Sequence, residues 1–521
     1  MRRSALFLLV LIAVLAPSPV GSEVVIGPGG GTPGTSKNFQ LVGHNDLSGF
    51  ELDENTTPRG MNAALAVFGD FVYVGNRTDG SSTCGRNDPR RERLGVNACP
   101  HPHPGILVVD ASAPSDPVVV NEIGPPFAGN VNETTRELRV WPEEELLIVL
   151  SFACSAQIHA CPGAPPIVPS FRFFDLSNPA DPQFLSQYTP RQANGTIRTP
   201  HEFFLWIDPI DSDRALLWAS TPTSSTNPNN ANLIIYDISD VPEGGQVDIE
   251  AQGNWTQFFP GSNNRLHSMT PTVDGTVTHL AYLSAFFLLL DTSDVAEADV
   301  PAADVVNLND DLLTPPENRP SWDNPNPGHS AVPFPGRPFS LVTDEVYGTF
   351  TDPSFGCPWG WARMIQVAQP RRPHVVGEYK TAENTCPAPS EADQQFTAYT
   401  AHNPTLTRNL ALITWHSDGL QAIDISDPAV TAQAGWFSPT PVASVANEDP
   451  ALSSGDNKVV MWSFPIVKDG LIYVIDIRNG LYILRYTGPR AREVTGLSFL
   501  EGNSNLGDAA RLDKSARPER P

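Results

Sequence analysis

Short apolar runs separated by Gly, Pro, Asn and Asp recur along most of this chain. Runs such as ALITW, LQAID, LIIYD and FLLLD are rich in β-branched and aromatic residues and too short for helices, so they predict strands. The stretch around Asp424 has the whole grammar: TLTRNL, ALITW, a turn at His416-Ser417-Asp418-Gly419, LQAIDI, then QAGWF. Four such runs predict one meandering antiparallel sheet.

The phrase LQAIDISDP also has relatives. ILVVDASAPSDP carries Asp110, FRFFDLSNPADP carries Asp175, LIIYDISD carries Asp237, and FLLLDTSD carries Asp291. RMIQVAQPRRP puts Gln366 in the same slot, and LYILRYTG puts Arg485 there. The seven copies are spaced by 65, 62, 54, 75, 58 and 61 residues. A sustained period of this length, with four strands in each unit, predicts an all-β, seven-bladed β-propeller of four-stranded antiparallel blades. The last copy stops after its third strand, and the segment Asn38-Phe39-Gln40-Leu41-Val42-Gly43 reads as an orphan fourth. Pairing the two would close the ring and remove two open edges. The aspartates are read as turn residues, because Asp-x-Ser-x-Pro suits a side-chain-capped turn after a strand.

These units resemble LVIVD repeats, in which an apolar strand is followed by DISDP and then a Pro-x-x-Val-Gly strand. The resemblance covers roughly Asn38 to Pro489. It implies a β-propeller in an exported or cell-surface protein and implies no particular reaction.

Composition narrows the choices. The chain has 521 residues with 58 acidic and 33 basic side chains, a formal net charge of −25. Such a balance repels nucleic acid and anionic lipid. With 17% charged residues and 52 prolines, the composition argues against long helices and coiled coils, while 40% hydrophobic residues are enough for a large core.

At the N-terminus, Arg2 and Arg3 precede an apolar run from Ala5 to Ala16, and Val20 and Ser22 flank a cleavage position before Glu23. Residues 1–22 therefore read as a signal peptide, and the protein as secreted, periplasmic or cell-surface. No other run is long enough to be a transmembrane helix. Residues 23–37 are expected to be a flexible lead, 38–489 the propeller, and 490–521 a mobile tail. In an exported chain the six cysteines predict disulfides, most simply Cys84–Cys99, Cys154–Cys161 and Cys357–Cys386.

Four histidines open the first strand of four consecutive units: His201, His267, His329 and His402, spaced by 66, 62 and 73 residues. First strands of blades line the propeller axis, so residues in register there converge. Imidazoles converging from rigid strands suit Cu, Fe or Zn. His416 joins them if residues 402–408 and 410–416 form a hairpin about Asn409. Across the axis the corresponding slots hold Arg136, Glu137 and Trp462. Arg136 or Glu137 would orient a substrate, and Trp462 would wall the pocket. The arrangement resembles axial-histidine metal propellers, namely carotenoid-cleavage oxygenases with iron and selenium-binding-protein-type thiol oxidases with copper. The resemblance to the iron group implies outer carboxylates around the histidines, for which Glu137 and Glu202 are the candidates.

Other features carry less. His101 and His103 form an HxH pair in a cysteine-bearing loop. Asp208, Asp211 and Asp213 lack the glycine and final glutamate of an EF-hand loop. There is no GxSxG elbow, P-loop or GxGxxG fingerprint, so no nucleotide cofactor is expected. Two functions compete: a metal-dependent oxidoreductase acting on a small molecule, and a monomeric surface scaffold binding a protein or glycan through loops.

Overall fold

Each aspartate of the repeat ends a strand and caps the turn that follows. Strands Ile106–Asp110, Ser170–Asp175, Leu233–Asp237, Phe286–Asp291 and Leu420–Asp424 all stop at the acid. In each case its Oδ1 accepts the backbone N–H of the serine two residues on, from Ser112, Ser177, Ser239, Ser293 and Ser426, at 2.6–3.0 Å. These are Asx turns, as Asp-x-Ser predicts.

The protein is all-β. A computed structural model describes residues 22–48, 61–77, 105–124, 133–153, 167–221, 229–243, 250–256, 265–283, 286–297, 305–320, 328–346, 359–385, 398–442 and 459–514. The expected signal peptide falls almost wholly outside them, as do all six cysteines, His101 and His103. Among the described residues the named strands group into six sheets of three, five or eight strands. The eight-stranded sheet spans residues 62–188, its two halves joined through Asn76 and Thr135. No helix among the described residues is long and apolar enough to cross a membrane.

Apolar cores fill the spaces between neighbouring sheets. Phe171 and Phe173 pack on Phe203, Leu205 and Tyr236. Trp206 and Trp218 pack with Leu280 and Leu288, and Leu410 and Leu412 with Val474 and Leu484. Leu65, Val67 and Val72 near the start of the chain pack on Ile466, Tyr473 and Ile475 near its end. Each side chain of this size contributes about 2 kcal/mol when fully buried.

The N-terminal strand Phe39–Asn45 pairs antiparallel with Gly480–Tyr486, so the orphan strand adds to the last sheet. The preceding residues, expected as a flexible lead, are instead built into sheet edges. Glu23–Gly27 runs parallel to His374–Thr381, and Thr35–Lys37 pairs antiparallel with Ala432–Ser438. Alternation in these short strands is weak, and the edge hydrogen bonds offered by distant strands hold them.

The expected mobile tail is also ordered through Lys514. It forms helix Ala491–Thr495, strand Phe499–Leu500 paired with Val467 and Lys468, and helix Ala509–Lys514. Between them, Asn505 accepts the Ile207 N–H at 2.8 Å and donates to the Ile207 carbonyl at 2.7 Å. Arg139 donates to the Asn503 carbonyl, and the Gly336 N–H to Asp513. Gly502 lies so close to the Pro404 carbonyl that a Cβ would sit 2.1 Å from it. Apolar side chains anchor it as well, Val494, Leu497, Leu500 and Leu512 packing with Val474 and Leu484, and Leu506 with Phe203 and Leu205. They are too widely spaced among polar residues for hydrophobic periodicity to reveal them.

Candidate metal centre

The first strands of consecutive sheets lie side by side: Glu133–Trp141 against Glu202–Ile207, that strand against Arg265–Pro271, and so on through Gly328–Pro333 to Pro404–Leu406. Histidines at or just before their starting ends are therefore neighbours. Ring centroids are 4.4 Å apart for His201 and His267, 3.8 Å for His267 and His329, and 4.3 Å for His329 and His402. His416 adds a fifth ring 5.0 Å from His402.

His416 reaches the cluster from a turn after the strand Leu410–Thr414 rather than from a strand. Its φ is +37°, a left-handed backbone that a side-chain-bearing residue adopts at a cost. Reciprocal backbone hydrogen bonds with Met461, both 3.1 Å, pin it there.

Glu345 completes the cluster, and sequence reasoning missed it. Its Oε2 lies 3.2 Å from His329 Nε2, while its Oε1 lies 3.2 Å from His402 Nε2 and 3.0 Å from His416 Nε2. Two groups have donor atoms within 4.8 Å of one another and could hold an ion: His267, His329 and Glu345, and Glu345, His402 and His416. A signal for Glu345 did exist. The hairpin logic that returns His416 towards His402 also pairs Asp344 with Gly328, beside His329.

Burial governs the protonation of the cluster. It holds the His201 imidazole down to about 3, with the Arg136 guanidinium adding to the effect. Burial likewise pushes His267, His402 and His416 below the usual imidazole value. Burial would raise the Glu345 carboxyl, but its imidazole neighbours His402, His329 and His416 hold it well below the usual range, so it is a carboxylate. Glu202 goes the other way, pushed up to about 8 by burial and then by Glu137.

The tautomers decide what the cluster can do. His402 Nδ1 is 2.5 Å from the Trp462 carbonyl, which can only accept, so this nitrogen carries the proton. The other nitrogen of the neutral ring then presents a lone pair to Glu345 Oε1. A lone pair facing a carboxylate oxygen at 3.2 Å needs a proton or a cation between them. A carbonyl behind an imidazole is also the usual support of a metal-binding histidine. In the same way His267 Nδ1 lies 3.1 Å from the His329 carbonyl, leaving Nε2 to face His201 Nε2 at 2.9 Å. These donors fit a first-row transition ion.

The residues expected across from the histidines divide. The Arg136 guanidinium lies over both Phe152 and Trp462, at 5.5 and 5.7 Å, and Trp462 lies 5.0 Å from the His402 ring. Arg77 also covers Trp462. Glu137 instead forms a buried ion pair with Arg139 at 3.2 Å. Glu202 Oε2 is 3.7 Å from His267 Nδ1, outside the donor sets. No protein-family model matches the chain, and no curated protein matches it.

Proposed function

We propose that this chain is an exported, closed seven-bladed β-propeller of LVIVD-repeat type that binds a transition metal through its converging histidines. The halves of the eight-stranded sheet and the three-stranded sheet each count as blades. The contact of Leu65 and Val67 with Ile466 and Tyr473 supports closure, with the strand Phe39–Asn45 completing the last blade.

The observation that carries the metal reading is the His402–Glu345 contact, a lone pair against a carboxylate oxygen with a carbonyl-bound proton behind it. A bound transition ion would supply Lewis acidity and, if redox-active, a route for electrons, which is the basis for an oxidative activity. The histidines and Glu345 would hold it. Arg136, lying over Trp462, would orient an anionic group of a small substrate, and Trp462 would wall the pocket. Asn505 of the C-terminal segment bonds at Ile207, the far end of the strand that follows His201, so substrate would arrive from the histidine end.

Elemental analysis of untagged protein tests the reading. Stoichiometric Cu, Fe or Zn, lost in the His267→Ala/His329→Ala double variant with the circular dichroism spectrum unchanged, is the expected result. Metal-free protein that takes up none of these ions on reconstitution overturns it and leaves the scaffold function.

A further inference from the structure

We propose that the cluster holds two metal ions, bridged by the carboxylate of Glu345; this rests on the metal reading above. The two oxygens of Glu345 serve different histidines, Oε2 facing His329 and Oε1 facing His402 and His416. The two possible donor groups share Glu345 and nothing else. One ion taking both groups would carry four imidazoles and the carboxylate, five protein donors against the four of a tetrahedral site.

The distances agree with shared coordination. Donors about 2.1 Å from an ion lie about 3.0–3.4 Å from one another in octahedral or tetrahedral geometry. The three histidine–Glu345 contacts, at 3.0–3.2 Å, fall on such edges. A carboxylate bridging through both oxygens suits ions about 3.5–4 Å apart, the usual spacing of two-metal sites. His267 and His329 would complete one ion, with His201 Nε2 at 2.9 Å from His267 Nε2 as a further donor. His402 and His416 would complete the other. An imidazole-rich set with a single carboxylate favours Cu or Zn over Mg, Ca or Mn. Two divalent ions against one carboxylate leave the centre cationic, which favours an anionic substrate or a bridging hydroxide.

The test counts copper. Untagged protein is stripped with a chelator, loaded with Cu(II), desalted, and assayed for copper per chain and for its integrated paramagnetic resonance signal. The wild type should retain two ions with a signal below its copper content, because the bridged spins couple. His267→Ala/His329→Ala and His402→Ala/His416→Ala should each retain one ion with a full signal. Glu345→Gln should lose an ion or lose the coupling. One ion per wild-type chain overturns the paired centre and leaves the metal reading standing, whereas none overturns both. Two ions whose signal is already full and is unchanged in Glu345→Gln overturn the bridge. The two histidine double variants keep the test decisive if Glu345→Gln does not fold.

Discussion

His402 holds its Nδ1 proton on the Trp462 carbonyl at 2.5 Å, and that contact turns the other face of the ring into an acceptor. A backbone oxygen contributed 60 residues away thereby selects the tautomer a metal requires.

Metal should therefore stabilise the fold measurably. Zn(II) or Cu(II) at about 100 times its Kd should add about 2.7 kcal/mol. In a thermal melt this is a rise in Tm that a chelator reverses and that His402→Ala/His416→Ala reduces. An unchanged Tm across that range contradicts specific binding.

His416 offers a separate test of geometry. With φ at +37° its backbone favours glycine. In metal-free protein, His416→Gly should be about 1 kcal/mol more stable than His416→Ala in urea denaturation, since both lose the ring and only alanine keeps the strain. Both should bind less metal than the wild type.

His279 lies away from the cluster and gives a clean dependence on pH. Burial alone holds its imidazole down to about 3. Below about pH 6.5 the unfolded chain takes up a proton there and the folded protein does not, so acid favours unfolding by about 1.4 kcal/mol per pH unit. This contribution should be absent from His279→Gln. The stability of the wild type relative to the variant should then fall steadily between pH 6 and 4 in denaturant titrations. A constant difference would mean that the imidazole is charged in the fold.

The C-terminal segment should matter to stability. Asn505→Ala leaves the N–H and carbonyl of Ile207 without the side chain that pairs them. The expected loss is about 2–4 kcal/mol, read as a lower urea midpoint at constant m-value. A change under about 0.5 kcal/mol would mean that water replaces the amide at no cost.

Local physics was legible in the chain alone. Strands ending at Asp110, Asp175, Asp237, Asp291 and Asp424 follow from short apolar runs rich in β-branched and aromatic residues and a turn that the aspartate builds with its own neighbours. The strand Phe39–Asn45 was legible because it repeats a pattern seen elsewhere. His201, His267, His329 and His402 were legible because histidine is scarce here, with 11 in the chain, and these four keep the period of the repeat.

Tertiary structure decided the rest. Glu345 is one of 58 acidic residues; hairpin pairing brings it back towards His329, but only tertiary packing adds the imidazoles of His402 and His416 to its carboxylate. Glu137 read as a pocket carboxylate, yet it turns to Arg139, because a buried charge needs its counter-ion nearby. The lead at 23–37 and the tail from 490 carry apolar residues too scattered to predict order. Distant strands order the lead by hydrogen bonds, and distant cores order the tail by burying Val494, Leu497, Leu500, Leu506 and Leu512 beside the Asn505 contact. Periodicity and turn chemistry act between near neighbours and are written in sequence order. His402 and His416 beside Glu345, the carbonyl that sets the His402 tautomer, and the partners of the terminal segment lie about a repeat or more away, and packing selects them.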